Sequence, residues 1–125
     1  MRWGFHQCKM SKRMQQYFTF VTPIGTYNYT RLVMGFINAT AEFQRAMNHT
    51  MGDSLWRCAV AMVDDLIVAS PDAETHMNDL QEVFTKLAAR GHSIKPSKMR
   101  FLQVEVEYLG RVSTEEGVLV TPRHK

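Results

Sequence analysis

Apolar and polar positions along the chain alternate between two periods, and each change of period marks an element. Tyr17-Phe18-Thr19-Phe20-Val21-Thr22 is rich in aromatic and β-branched residues, and Thr26-Tyr27-Asn28-Tyr29-Thr30-Arg31-Leu32 resumes the same pattern after Pro23-Ile24-Gly25. The pair reads as a hairpin, with proline presetting φ at the turn and glycine free to return the chain. From Asn38 the period becomes helical: Phe43, Ala46, Met47 and Met51 share a face, Asn38 stands at the N-cap and Gly52 at the stop. A second helix is expected from Ser70 as N-cap and Pro71 in the first turn, with Met77, Leu80, Val83, Phe84, Leu87 and Ala88 on its apolar face and Gly91 as the left-handed stop. Between the helices, the apolar runs Arg57–Val63 and Leu66–Ser70 flank Asp64-Asp65, which predicts a buried hairpin with the two carboxylates at its tip. Val104, Val106 and Tyr108 alternate with Glu105 and Glu107 before Leu109-Gly110, and Glu116-Gly117 turns into Val118-Leu119-Val120. The order hairpin, helix, hairpin, helix, hairpin predicts an α+β fold, an antiparallel sheet with two helices packed on one face.

Composition narrows the class. The 125 residues, 45% hydrophobic and 22% charged, fit one globular domain or a piece of one. A net charge of +3 permits a polyanionic partner without requiring one. The longest apolar run, Cys58 to Val63, falls far short of the roughly 20 residues that span a bilayer, so no membrane partner is expected. No signal-peptide core follows Met1–Gln7, and Cys8 and Cys58 are expected as reduced thiols. Two cysteines fifty positions apart and five dispersed histidines match no zinc spacing.

The chemistry concentrates at Asp64-Asp65. Tight two-residue turns favour glycine, and two like charges side by side between apolar strands are locally costly. A divalent cation would remove that cost by favouring both anions. Carboxylates suit Mg²⁺, which takes one or two ligands from protein and completes its shell with water and substrate phosphates. The residues alone leave two readings open, a metal site for phosphoryl transfer and an ordinary solvated turn.

Five ordered blocks carry a resemblance. Ala61-Met62-Val63-Asp64-Asp65-Leu66-Ile67-Val68 resembles the aromatic-x-Asp-Asp strand-turn-strand of reverse transcriptases, particularly those of gypsy-type LTR retrotransposons. Gly4-Phe5-His6-Gln7 is similar to the family's Gly-Tyr-His-Gln. The stretch from Arg31 to Gln44, with Gly35, Asn38-Ala39 and Phe43-Gln44, resembles its Arg-Met-Pro-Phe-Gly-Leu-x-Asn-Ala-Pro-x-x-Phe-Gln. Pro96-Ser97-Lys98 and Val106-Glu107-Tyr108-Leu109-Gly110 follow its Asn-Pro-Ser-Lys-Cys and Val-x-Tyr-Leu-Gly segments.

The resemblance implies a partial reverse transcriptase domain over residues 1–125, a palm with a remnant of the fingers/palm junction. It implies that Asp64 and Asp65 hold Mg²⁺, with Mn²⁺ as a substitute, during addition of deoxynucleotides to a primer 3′-end. By the same resemblance Phe5 blocks a nucleotide 2′-hydroxyl, Met34, Gly35 and Val63 lie against the incoming nucleotide, Lys98 protonates departing pyrophosphate, and Leu109-Gly110 grips the primer. The implied partners are an RNA or DNA template with its primer, deoxynucleoside triphosphates, and the fingers, thumb and RNase H regions of a parent polyprotein. The implied location is intracellular, in cytoplasmic virus-like particles or the nucleus.

Three departures bear on activity. The family's first metal-binding aspartate falls just ahead of the position of Met1, Met62 replaces the usual Tyr or Phe, and Val33 and Thr40 replace common prolines. The expectation for the isolated chain is therefore no polymerisation. Its alternatives are an inactive remnant that binds nucleic acid or a protein, and a fragment that leans on its missing neighbours to fold.

Overall fold

Helix α1 (Gly4–Gln7) and helix α2 (Lys12–Gln15) open the computed structural model, which describes residues 4–114 and 117–120. The chain divides into two compact units, residues 1–94 and 95–125. In the first, strands β1 (Thr19–Thr22) and β2 (Gly25–Asn28) form the expected hairpin, turning through Pro23-Ile24, with Gly25 already paired to Thr22. Phe20 stacks on Tyr27 across it, the kind of aromatic cross-strand pair that stabilises an isolated ladder.

Helix α3 (Ala39–Met51) matches its predicted bounds, with Asn38 at the N-cap and Gly52 at the C-cap. Its buried face is Ala39, Phe43, Met47, Thr50 and Met51. Strands β3 (Ala59–Met62) and β4 (Asp65–Val68) form the central hairpin, and α3 packs against β3 and against helix α4 (Ala73–Ala89). Phe43, Met47, Met51 and Val83 reach 0% exposure and Leu87 1%, so this three-way junction is the core. Each such side chain contributes about 1.5–3 kcal/mol by leaving water.

The start of α4 departs from the sequence expectation. Asp72, not Ser70, is the N-cap, its carboxylate accepting from the Thr75 N–H at 2.8 Å. Ser70 instead donates its hydroxyl to Asp79 at 2.6 Å, and that bond takes it out of the capping position. On the expected apolar face Val83 and Leu87 are buried, whereas Met77 is 63% exposed and Ala88 is exposed as well. The helix ends as expected, at Arg90 followed by Gly91 with φ 72°.

In the second unit, strands β5 (Val106–Tyr108), β6 (Arg111–Thr114) and β7 (Gly117–Val120) make an antiparallel sheet. The expected turn at Glu116-Gly117 lies partly outside the described residues, with Gly117 opening β7. The α+β class with antiparallel strands is therefore observed. The strands are divided among three small sheets rather than one, because each hairpin closes on itself.

A polar staple joins α4 to the loop before β3. Arg57 binds Asp79 at 3.0 Å and Glu82 at 2.5 Å, while Lys86 reaches Glu82 at 2.8 Å, the Ser54 hydroxyl at 2.6 Å and the Met51 carbonyl at 3.1 Å. Lys86, the Ser54 hydroxyl and Arg57, in that order of effect, hold the Glu82 carboxyl down to about 2.

Candidate active site

The pairing register fixes the acidic turn. Met62 pairs with Asp65, so the two turn residues are Val63 and Asp64, and Asp65 is the first residue of β4. The expected Asp64-Asp65 tip is corrected by one residue. Val63 has φ 53° and Asp64 does not share that conformation, the pattern of a turn whose first central residue is left-handed. Glycine is the usual occupant, and a β-branched residue there stores strain of about 1–3 kcal/mol.

Asp64 is half-buried and points at α1. A Cβ at Gly4 would overlap Asp64 Oδ1 and fall 2.9 Å from its Cγ and 3.2 Å from Phe43 Cζ. Only glycine lets α1 approach this closely, which gives the Gly4-Phe5-His6-Gln7 block a physical reason at its first position. Phe5 lies with its ring centroid 5.1 Å from that of Phe43. Asp65 is exposed.

Helix α1 is itself held in place. Gln7 exchanges two bonds with Ser93, at 2.8 and 3.0 Å, and its carbonyl accepts from Arg31 at 2.9 Å. The chain beyond it pairs with residues 30–32 through the Lys9–Arg31 bridge. His92 lies 3.3 Å from both Gln7 Oε1 and the Thr50 hydroxyl, and burial, helped by Arg90, pushes its pKa down.

The structure thus brings together Gly4, Phe5, Phe43, Val63 and Asp64. Met34 is 64% exposed and Gly35 has φ 87°, both in the loop before α3. Lys98 is exposed in a short 3₁₀ turn over Pro96–Lys98, and Leu109-Gly110 is the two-residue turn between β5 and β6, with φ 51° and 75°. These last three belong to the second unit. Gln44, quoted above only as part of a motif, bonds directly to the acidic hairpin. The sequence signal for it is a polar residue directly beside Phe43, which lies on the expected apolar face of the helix. Cys8 and Cys58 are free thiols whose pKa burial pushes up, so neither is poised as a nucleophile.

Two adjacent carboxylates are hard oxygen donors. Among the described residues no three His, Cys, Asp or Glu side chains converge to hold a metal. Such a pair fits an ion that draws one or two ligands from protein and the rest from water and phosphate, which describes Mg²⁺.

Residues 1–112 match the family model described as reverse transcriptase (RNA-dependent DNA polymerase). The chain belongs to that reverse transcriptase family. It is 36% identical over 119 residues to the retrovirus-related Pol polyprotein from transposon 297 of Drosophila melanogaster, covering 95% of this chain and 11% of the polyprotein. It is 32% identical over 120 residues to that from transposon opus of the same fly, covering 96% of this chain and 12% of the polyprotein. The chain therefore spans about an eighth or less of these relatives. The foamy viral protease-reverse transcriptase in complex with RNA/DNA hybrid superposes with a TM-score of 0.83 at 26% identity, covering 94% of this chain and 16% of that one. The same viral enzyme with double-stranded DNA gives 0.81. Within this reverse transcriptase segment, the acidic turn and the α1 approach are the parts whose geometry bears on chemistry.

Proposed function

We propose that the chain is the palm-bearing part of an RNA-directed DNA polymerase, with a remnant of the fingers/palm junction. The observation that carries this reading is Asp64, held at the turn of a strained hairpin and fenced by Gly4 and Phe43, beside an exposed Asp65, in a chain of this family. Asp64 and Asp65 would hold Mg²⁺, with Mn²⁺ as a substitute. When bound, the ion would supply charge neutralisation on a triphosphate and lower the cost of forming an alkoxide nucleophile. The chain's own contribution is positioning. Phe5, backed by Phe43, offers a rigid ring beside the acidic turn that disfavours a 2′-hydroxyl. Met34, Gly35 and Val63 lie against the nucleotide, Lys98 gives a proton to departing pyrophosphate, and the Leu109-Gly110 turn contacts the primer end. The partners are primer-template, deoxynucleoside triphosphates and the remaining polyprotein domains, and the site of action is a virus-like particle or the nucleus.

A second reading, a silent remnant that binds nucleic acid or protein, is favoured by Met62, which stands where the resembled motif has Tyr or Phe. Primer extension with Mg²⁺ separates the two. It is run on this chain and on one lengthened at the N-terminus to carry a further aspartate. Extension by the longer chain, abolished by Asp64→Asn, supports the polymerase. Silence from a folded longer chain overturns it.

A further inference from the structure

We infer that Gln44 is the positioning residue of the acidic turn. Its side-chain oxygen accepts from the Val63 N–H at 2.7 Å, and its side-chain nitrogen donates to the Ala61 carbonyl at 2.8 Å. Asn48 Oδ1, one helical turn on, accepts from the same nitrogen at 2.8 Å and fixes the carboxamide's orientation.

The pleat explains why these two backbone groups need a partner. The turn closes on Met62 and Asp65, whose N–H and C=O groups face each other. Ala61 and Val63 therefore present theirs to the opposite edge of β3. One carboxamide offers an acceptor to Val63 and a donor to Ala61, so Gln44 acts as a single peptide group of an absent third strand. The molecule uses the same device elsewhere, where Gln7 exchanges both bonds with Ser93.

The position of Val63 gives the clamp a role beyond covering an edge. A β-branched residue at φ 53° persists only where its surroundings over-determine it. Gln44 stands on α3 between Phe43 and Met47, both fully buried, so its carboxamide is referenced to the core. Fixing Val63 fixes the next residue, Asp64, whose other boundary is Gly4. The helix thereby sets the direction of the carboxylate. This inference rests on the metal-site reading above only for its consequence, not for the clamp itself.

The test uses the 125-residue chain, with amide hydrogen exchange at Val63 as one readout and Mn²⁺ binding, followed by paramagnetic broadening at Asp64 and Asp65, as the other. In Gln44→Leu the Val63 amide exchanges faster while the chain stays folded, and Mn²⁺ affinity falls about tenfold, as for supporting partners of metal ligands. In the Val63→Gly background the same substitution costs less affinity, because glycine needs no clamp to stay left-handed. Unchanged Val63 exchange in Gln44→Leu overturns the inference. So does a loss of global stability with Mn²⁺ affinity intact in the folded fraction. Should the leucine variant not fold, Gln44→Asn decides, since its carboxamide is one methylene too short for both bonds; retained Val63 protection there overturns the clamp. Asp64→Asn is the separate control. If it leaves Mn²⁺ binding unchanged, the metal reading fails while the Val63 exchange result still decides the role of Gln44.

Discussion

Gly4→Ala sets two physical effects against each other. In an unobstructed helix the substitution is favourable by about 0.5–1 kcal/mol, because glycine loses more backbone freedom on folding. At Gly4 the new methyl would overlap Asp64 Oδ1 and stand 2.9 Å from Asp64 Cγ and 3.2 Å from Phe43 Cζ. Phe43 is 0% exposed and cannot retreat, so the carboxylate must turn or α1 must lift. Overpacking of this kind costs about 1–3 kcal/mol. The clash outweighs the propensity, and the variant should lose about 1–2 kcal/mol, or several degrees of Tm for a chain of this size. Urea unfolding followed by far-UV circular dichroism gives the number. An alanine variant as stable as the wild type would refute the close approach. Pairing it with Asp64→Ala locates the clash: with the carboxylate removed, the cost of Gly4→Ala should shrink, since contacting residues couple by about 0.5–3 kcal/mol. Purely additive losses would mean that Asp64 does not face α1.

Three further outcomes follow from the described geometry. His92 has its pKa lowered by burial and then by Arg90, so the folded state favours the neutral ring; stability should be full above about pH 6.5 and fall as pH drops towards the lowered value, and His92→Gln should flatten that limb in pH-dependent melts. Glu82 is held down to about 2, so its contribution is full above the ordinary value of 4.5 and lost as pH falls through about 2; Glu82→Gln should remove that part of the acid transition, and an unchanged acid midpoint would count against the staple. Gly110→Ala places a side chain at φ 75° and should destabilise the β5–β6 turn by about 1–2 kcal/mol, read as faster amide exchange at Arg111.

What could be read from the sequence divides along the range of the forces involved. Helix α3 was legible to the residue because its apolar period, Asn38 and Gly52 all agree. The start of α4 was not, since Ser70 and Asp72 are both good caps and the choice is made by Asp79, seven residues downstream of Asp72, which engages Ser70. Asp64 and Asp65 stood out as chemistry, yet their register did not. Local preference puts polar residues at a tip and keeps valine out of left-handed backbone. The Gln44 bonds, which bridge nineteen residues of sequence to Val63, override that preference. Gly4 was visible as part of a block, and its reason only in the approach to Asp64.

The two carboxylates are neighbours in sequence and opposites in setting. Asp64 is half-buried, follows a clamped residue and faces a glycine chosen for space. Asp65 is exposed and begins a strand whose partner, Met62, is also exposed. A site of the proposed kind, which would admit and release a charged substrate, gains from this inequality. If the pair holds an ion as proposed, the ligand of fixed direction would set where it sits, while the solvated second ligand would adjust as water is exchanged for phosphate. The strain at Val63 belongs to the same design: it keeps the turn to two residues, and with a longer, relaxed loop Asp64 would no longer be referenced to the core through Gln44.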